Sequence, residues 1–311
     1  MKTAFVFAGQ GSQRAGMGRD LYDRHPVFRR IFDDAPVDFD LPRLCFEGPE
    51  EQLAQTRYTQ PCMVAFGAGV MALLAGEGLY PSMAAGLSLG EYSALHAAGV
   101  WDSRTVIGLA AFRGQAMEQA VAGRPCGMTA VMGLDRGALE QVCIQASDTG
   151  VVEIANDNCP GQLVIGGDQA AVDQAAALAV NAGARRCVPL KVSGPFHTSL
   201  MAPAGQALRE MFKTIVFNEP RFPVLFNATG RPMTEAESIP ALLERQVQSG
   251  VRFTDTIRYL EAQGVDTILE IGPGRTLSGF IKKTAPSIQT IAIEDAVSLS
   301  AAIDRLKGGS L

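Results

Sequence analysis

Gly86-Leu87-Ser88-Leu89-Gly90-Glu91 is the stretch on which the reading of the fold turns. It has the form G-x-S-x-G. Ser82-Met83-Ala84-Ala85 before it is short and apolar enough for a buried strand, and Glu91 to Ala98 after it reads as a helix. A strand turning directly into a helix leaves no room for side chains beside the turn, which accounts for two flanking glycines. Such a turn holds the serine hydroxyl at a helix N-terminus, where backbone N–H groups lack partners. The pattern alone also fits a glycine-rich turn with the serine as an ordinary N-cap. The strand–turn–helix context favours a nucleophile elbow.

Working outward, Ala4-Phe5-Val6-Phe7 is a short buried-type strand that runs into Ala8-Gly9-Gln10-Gly11-Ser12-Gln13. The dinucleotide fingerprint G-x-G-x-x-G is incomplete there, and no acidic residue closes a second strand about 20 residues on. The glycines instead let backbone amides approach something small. Residues 19–34 are helical with a break at His25-Pro26, residues 35–60 are mixed, and Pro61 is expected to open a helix over 62–75. The next helix covers 103–120, with Asp102 or Ser103 as its cap. Between Thr105 and Met117 its only charged residue is Arg113, which shares a face with Leu109 and Met117. A cation on an apolar face needs a partner. Either a distant carboxylate makes a structural ion pair with it, or it clamps an anionic ligand.

Ala122-Gly123-Arg124-Pro125 breaks the pattern. Past this break the chain alternates as a strand over 128–134, a helix over 136–146, strands over 151–155 and 162–166, a helix over 169–182 and a strand over 185–192. That β-α-β-β-α-β order is ferredoxin-like, and its ends lie close together as an insertion requires. The sequence therefore predicts a small domain, residues 124–192, inserted into a large domain of residues 1–123 and 193–311. Beyond Ser193, helices over 200–212, 239–248, 253–262, 276–283 and 295–306 alternate with strands over 224–226, 267–271 and 289–293. The fold class is α/β: an α/β-hydrolase-like domain with a mostly parallel sheet and a nucleophile elbow, plus the inserted βαββαβ domain.

Composition excludes several classes. The net charge is -5 and only 19% of the 311 residues are charged, with no basic stripe, so nucleic acid is not an expected partner. Six cysteines form no C-x-x-C pair, so no metal site is expected and the thiols suit a reducing compartment. The first apolar run, Ala4 to Phe7, is too short for a signal peptide, and the apolar stretch from Met63 to Leu79 is interrupted by Gly67, Gly69, Gly76 and Glu77. The expectation is a cytoplasmic protein with no membrane span. A nucleophilic serine needs a base, and there are three histidines. His25 precedes a proline in a polar stretch. His96 lies eight residues past Ser88, about 12 Å along a helix axis, out of hydrogen-bond reach. His197 sits where the small domain returns to the large one, a place for a cleft. No acid among Asp102, Asp135, Asp148, Asp157, Asp168 and Asp173 stands out as a third triad member, so a backbone carbonyl or an amide could orient the histidine instead.

Six segments carry a family resemblance: Phe7 to Gln13, Gly86 to Tyr92, Arg113-Gly114-Gln115-Ala116-Met117, Ala155 to Gln162, Gly194-Pro195-Phe196-His197 and Glu270-Ile271-Gly272-Pro273-Gly274. In this order and spacing the chain resembles the malonyl-CoA:acyl carrier protein transacylases of bacterial type II fatty acid synthesis over nearly its whole length. The resemblance implies Ser88 as the acylated nucleophile and His197 as its base and later acid. It implies backbone N–H groups of Gln10 and Leu89 for the oxyanion, Arg113 for the malonyl carboxylate, and the Gln246 carbonyl to orient His197. It also implies malonyl-CoA as substrate with no bound cofactor or metal, and holo acyl carrier protein as a transient partner. Oligomeric state stays open, a monomer being compatible. Phe196 resembles malonyl-selective members. Leu87 stands where the family often has histidine, and Gly250-Val251-Arg252-Phe253 departs from the usual sequence after Gln246, which predicts a looser loop there. An acidic carrier meeting an acidic enzyme needs a local basic patch, for which Arg185, Arg186, Lys282 and Lys283 are candidates. Competing readings are a free-standing acyltransferase of a polyketide synthase, a serine hydrolase or thioesterase, and a non-enzymatic scaffold.

Overall fold

The computed structural model describes residues 2–308. Its strands, among the described residues, are β1 (Thr3–Phe7), β2 (Met83–Gly86), β3 (Cys126–Met132), β4 (Val152–Cys159), β5 (Gln162–Asp168), β6 (Arg186–Pro189), β7 (Leu225–Phe226), β8 (Arg231–Pro232), β9 (Val251–Arg252), β10 (Thr267–Ile271) and β11 (Gln289–Ile293). The chain divides into two compact units. One comprises Met1–Gly114, Val216–Leu225 and Tyr259–Leu311, and the other Gln115–Ile215 and Phe226–Arg258.

The first unit is built on a sheet of order β11-β10-β1-β2 in which every pair is parallel. Ala84 adds a parallel bridge to Val224. β1 reads Thr-Ala-Phe-Val-Phe and is buried from Ala4 onward, as a strand covered on both faces must be. Phe7 is in register with Gly86 on one side and Ile271 on the other, so the loops after β1, β2 and β10 leave the sheet at one edge. The connections leaving β1 and β10 run to opposite sides, and this is where open α/β sheets place their ligands.

One helix differs from expectation. It spans Thr56–Gly76 and contains Pro61 instead of starting after it. Proline lacks the N–H that a sixth helical residue would donate, a cost normally avoided inside a helix. The turn ahead of it is held by other means: the Thr59 hydroxyl donates to the carbonyls of Leu53 (2.5 Å) and Gln55 (3.1 Å). This helix is long and apolar enough to cross a membrane by length and composition, but most of it is buried within the protein.

The second unit has a sheet of order β6-β3-β5-β4-β9. Its first four strands pair antiparallel in the ferredoxin-like order, fourth-first-third-second. The helices Arg136–Ala146 and Gln169–Asn181 share a core with this sheet, through Leu139, Val142, Val172 and Ala175 against Val131 and Ile165. β4 runs to Cys159, four residues past the expected end. Asn156-Asp157-Asn158 reads as turn-forming sequence, but two register irregularities let it pair with β5 while β9 joins its other edge in parallel.

Candidate active site

The elbow sits in the first unit. Ser88 has φ 53°, left-handed backbone that costs a non-glycine residue roughly 1–2 kcal/mol. The neighbours force it. A Cβ at Gly86 would lie 1.9 Å from the Gly90 carbonyl carbon, and one at Gly90 would lie 2.1 Å from the Phe7 oxygen. Leu87 N–H donates to Phe7 O (3.1 Å), tying the elbow to β1. That is a backbone task any side chain at position 87 leaves intact, so the leucine in the family's histidine position does not disturb the turn. The helix Gly90–Ala97 opens with three short i→i+3 bonds, from Gly90, Glu91 and Tyr92. The backbone N–H groups of Leu89 and Gln10 carry no hydrogen bond among the described residues.

Arg113 joins the elbow. It lies in the helix Ser103–Gln119, whose start is capped by Asp102 Oδ1 accepting from Thr105 N–H (2.7 Å). The side chain is 1% exposed. Nη2 donates to Ser88 Oγ (3.3 Å), Nη1 donates to Gln60 Oε1 (2.9 Å), and the guanidinium carbon stands 5.4 Å from the Tyr92 ring centroid. Burial lowers the arginine's pKa, while Tyr92 and Glu91 favour its charged form. Arginine stays cationic through such shifts. Burial also drives the Tyr92 phenol above its ordinary value, so it remains neutral. The first unit thus holds a strained serine, two unclaimed backbone donors and a buried cation that reaches the hydroxyl.

The histidine sits in the second unit. His197 has φ 63° and is 3% exposed. Its Nδ1 lies 2.8 Å from the Gln246 carbonyl oxygen. A carbonyl only accepts, so Nδ1 carries the proton and Nε2 is left with its lone pair, the tautomer a general base needs. Gln246 is in the last turn of the helix Ile239–Val247, where carbonyls have no helical N–H ahead of them. A side-chain acid is therefore unnecessary, and of the two orienting groups the sequence left open, the structure has the carbonyl. The turn bearing His197 is fixed by Thr198 Oγ1 donating to Pro195 O (2.6 Å), and by Ser199 donating N–H (2.8 Å) and hydroxyl (2.5 Å) to Glu153. Phe196 is buried beside Gly194. The segment after Gln246 is ordered, not loose. Val251 and Arg252 form β9, and a Cβ at Gly250 would come 2.5 Å from the Ile154 carbonyl oxygen, so glycine lets β9 close on β4.

The other histidines stay apart from this chemistry. His96 Nδ1 is satisfied by Trp101 O (2.9 Å), and His25 lies between the helices Arg19–Arg24 and Pro26–Asp33. Among the described residues no cluster of metal-ligating side chains occurs. Sequence reasoning missed Thr56, Gln60 and Tyr92. For Thr56 and Gln60 the available signal was a polar Thr-x-x-Thr-Gln heading a helix that is apolar from Pro61 onward.

Known proteins share this architecture. The acyl transferase domain model matches residues 4–302. A malonyl CoA-acyl carrier protein transacylase of Bacillus subtilis (strain 168) is 41% identical over 309 residues, covering 98% of each chain. The crystal structure of an acyl carrier protein S-malonyltransferase from Vibrio cholerae superposes with a TM-score of 0.94 at 40% identity, over 97% of this chain and 100% of that one. A malonyl-transacylase solved in complex with a type II polyketide acyl-carrier protein gives 0.95 at 39% identity, over 98% and 100%. The chain belongs to the acyl transferase family, among the malonyl CoA-acyl carrier protein transacylases.

Proposed function

We propose that this enzyme moves a malonyl group from malonyl-CoA to the phosphopantetheine thiol of holo acyl carrier protein, by a ping-pong route through a malonyl ester on Ser88. The observation that carries the reading is the buried Arg113 guanidinium at the serine hydroxyl. A desolvated cation beside an acylation site favours an acyl group with its own carboxylate, through a bidentate charge-assisted pair. In the first half-reaction, Ser88 Oγ attacks the thioester carbonyl and His197 Nε2 takes the hydroxyl proton. The oxyanion forms against the N–H groups of Gln10 and Leu89. The C–S bond breaks and the proton passes from the imidazolium to the CoA thiolate. In the second, the carrier thiol gives its proton to His197 and attacks the ester, and Ser88 Oγ recovers a proton as it leaves.

The site needs no cofactor in this scheme. The reading includes a cytoplasmic setting, supported by six cysteines whose spacing forms no C-x-x-C pair and suits a reducing compartment. Fatty acid synthesis is the pathway this reading favours, on the resemblance carried by the six sequence segments. A polyketide carrier is the second reading, because one similar protein was solved with such a carrier. Intact mass spectrometry tests the chemistry. Malonyl-CoA should add ~86 Da, and holo carrier protein should then remove it. An adduct lost to water as fast as to carrier protein would turn the reading to a thioesterase, and the absence of any adduct or turnover to a scaffold. Parallel kinetics with fatty acid and polyketide carriers separate the pathways.

A further inference from the structure

We propose that the buried polar first turn of the helix Thr56–Gly76 is the positioning element of the acyl site. In it, Gln60 sets the malonyl selectivity of Arg113 and Thr56 sets the oxyanion donor at Gln10. The inference rests on Arg113 being the carboxylate clamp.

Thr56, Thr59 and Gln60 are each 0% exposed at the head of a helix that is apolar from Pro61 onward. Buried polar groups are costly unless they bond, and two of these three bond to site residues. Gln60 Oε1 accepts from Arg113 Nη1 (2.9 Å), and Thr56 Oγ1 accepts from Gln10 Nε2 (3.0 Å). The third, Thr59, stiffens the turn through Leu53 and Gln55. The arginine's helix is pressed onto this same turn. A Cβ at Gly114 would lie 2.7 Å from Thr56 O and 2.9 Å from Arg57 Cα, so the residue after Arg113 must be glycine for the two helices to meet.

The choice of an amide at position 60 matters. A neutral oxygen orients the guanidinium plane through one terminal nitrogen and adds no negative charge. A carboxylate in its place would make a charge-assisted bond to Arg113 and repel the incoming malonyl carboxylate. Gln60 is thus a positioning residue acting through Arg113, and Thr56 one acting through Gln10. Their signatures differ: an error at Gln60 falls on carboxylated substrates, whereas an error at Thr56 falls on every acyl group.

The experiment measures kcat/KM for malonyl-CoA and acetyl-CoA with the full-length wild type, Gln60→Glu, Gln60→Met and Thr56→Val, each checked for folding by circular dichroism. Gln60→Glu should cut the malonyl-to-acetyl ratio at least about tenfold, with acetyl transfer changed less than about threefold. Gln60→Met, similar in volume and without the amide oxygen, should shift the ratio the same way and serves if the carboxylate prevents folding. Thr56→Val should lower both substrates together, by about tenfold, with the ratio unchanged. A ratio within twofold of wild type in a folded Gln60 variant overturns the proposal, as does a ratio change in Thr56→Val. Failure of the wild type itself to take malonyl would instead overturn the functional reading.

Discussion

At the scale of single residues, the site separates roles that can be removed one at a time. Ser88→Ala should abolish the malonyl adduct in intact mass spectra, and a persistent adduct would move the nucleophile elsewhere. His197→Ala should slow acylation by roughly 10²–10⁴-fold while leaving circular dichroism unchanged. Near-normal turnover would leave the histidine only its structural contact with Gln246. Arg113→Ala should lower malonyl transfer steeply and spare acetyl transfer, because only malonyl brings a carboxylate that must be compensated after desolvation. Equal losses in a folded protein would make the arginine purely structural. His96 gives a pH effect of known sign. Burial holds its imidazole below the ordinary value of 6.5, against the opposing Trp101 carbonyl. Its neutral form therefore contributes stability that is complete above about pH 6.5 and is lost as the pH falls below. His96→Gln should flatten the fall of Tm between neutral and mildly acidic pH, and an unchanged slope would assign that fall to other groups.

At the scale of elements, much of the site was legible because local chemistry dictated it. The elbow could be read from G-x-S-x-G, since steric exclusion at Gly86 and Gly90 is written in their identity. The split βαββαβ order came from periodicity, and capping chemistry narrowed the helix cap to Asp102 or Ser103, of which the structure uses Asp102. The rest depended on long-range partners. The helix Thr56–Gly76 starts ahead of Pro61, with Thr56, Thr59 and Gln60 buried in long-range contacts and the Thr59 hydroxyl tied back to Leu53 and Gln55, which no local rule weighs. β4 carries Asn156-Asp157-Asn158 because its hairpin partner β5 accommodates them through register irregularities and β9, from a segment distant in sequence, pairs with its other edge. The Gln246 carbonyl could be assigned only by resemblance, since every residue has one and only the helix end makes it available. Gly90→Ala tests the steric argument. It should destabilise the protein by at least about 2 kcal/mol, seen as a lowered denaturation midpoint. A neutral result would mean that the elbow can relax away from Phe7.

At the scale of the whole molecule, the net charge of -5 makes long-range attraction of an acidic carrier protein unfavourable, so recognition must be local. Lys282 and Lys283 are exposed in the last turn of the helix Thr276–Thr284, and Arg185 and Arg186 are exposed just before and at the start of β6, an edge strand. Reversing the charge of either pair should raise KM for carrier protein at low salt and leave self-acylation by malonyl-CoA unchanged. An unchanged KM would remove that pair from the docking surface. The sheet order has a further consequence, one of timing during synthesis. β1 is made long before one of its two partners, β10, which lies more than 260 residues later. Until Thr267–Ile271 is made, the strand that anchors the serine turn has one flank unpaired, an apolar edge of the kind that seeks other chains. The nascent enzyme therefore remains dependent on protection until β10 is made, and a ribosome stalled before β10 holds a serine elbow without its finished sheet.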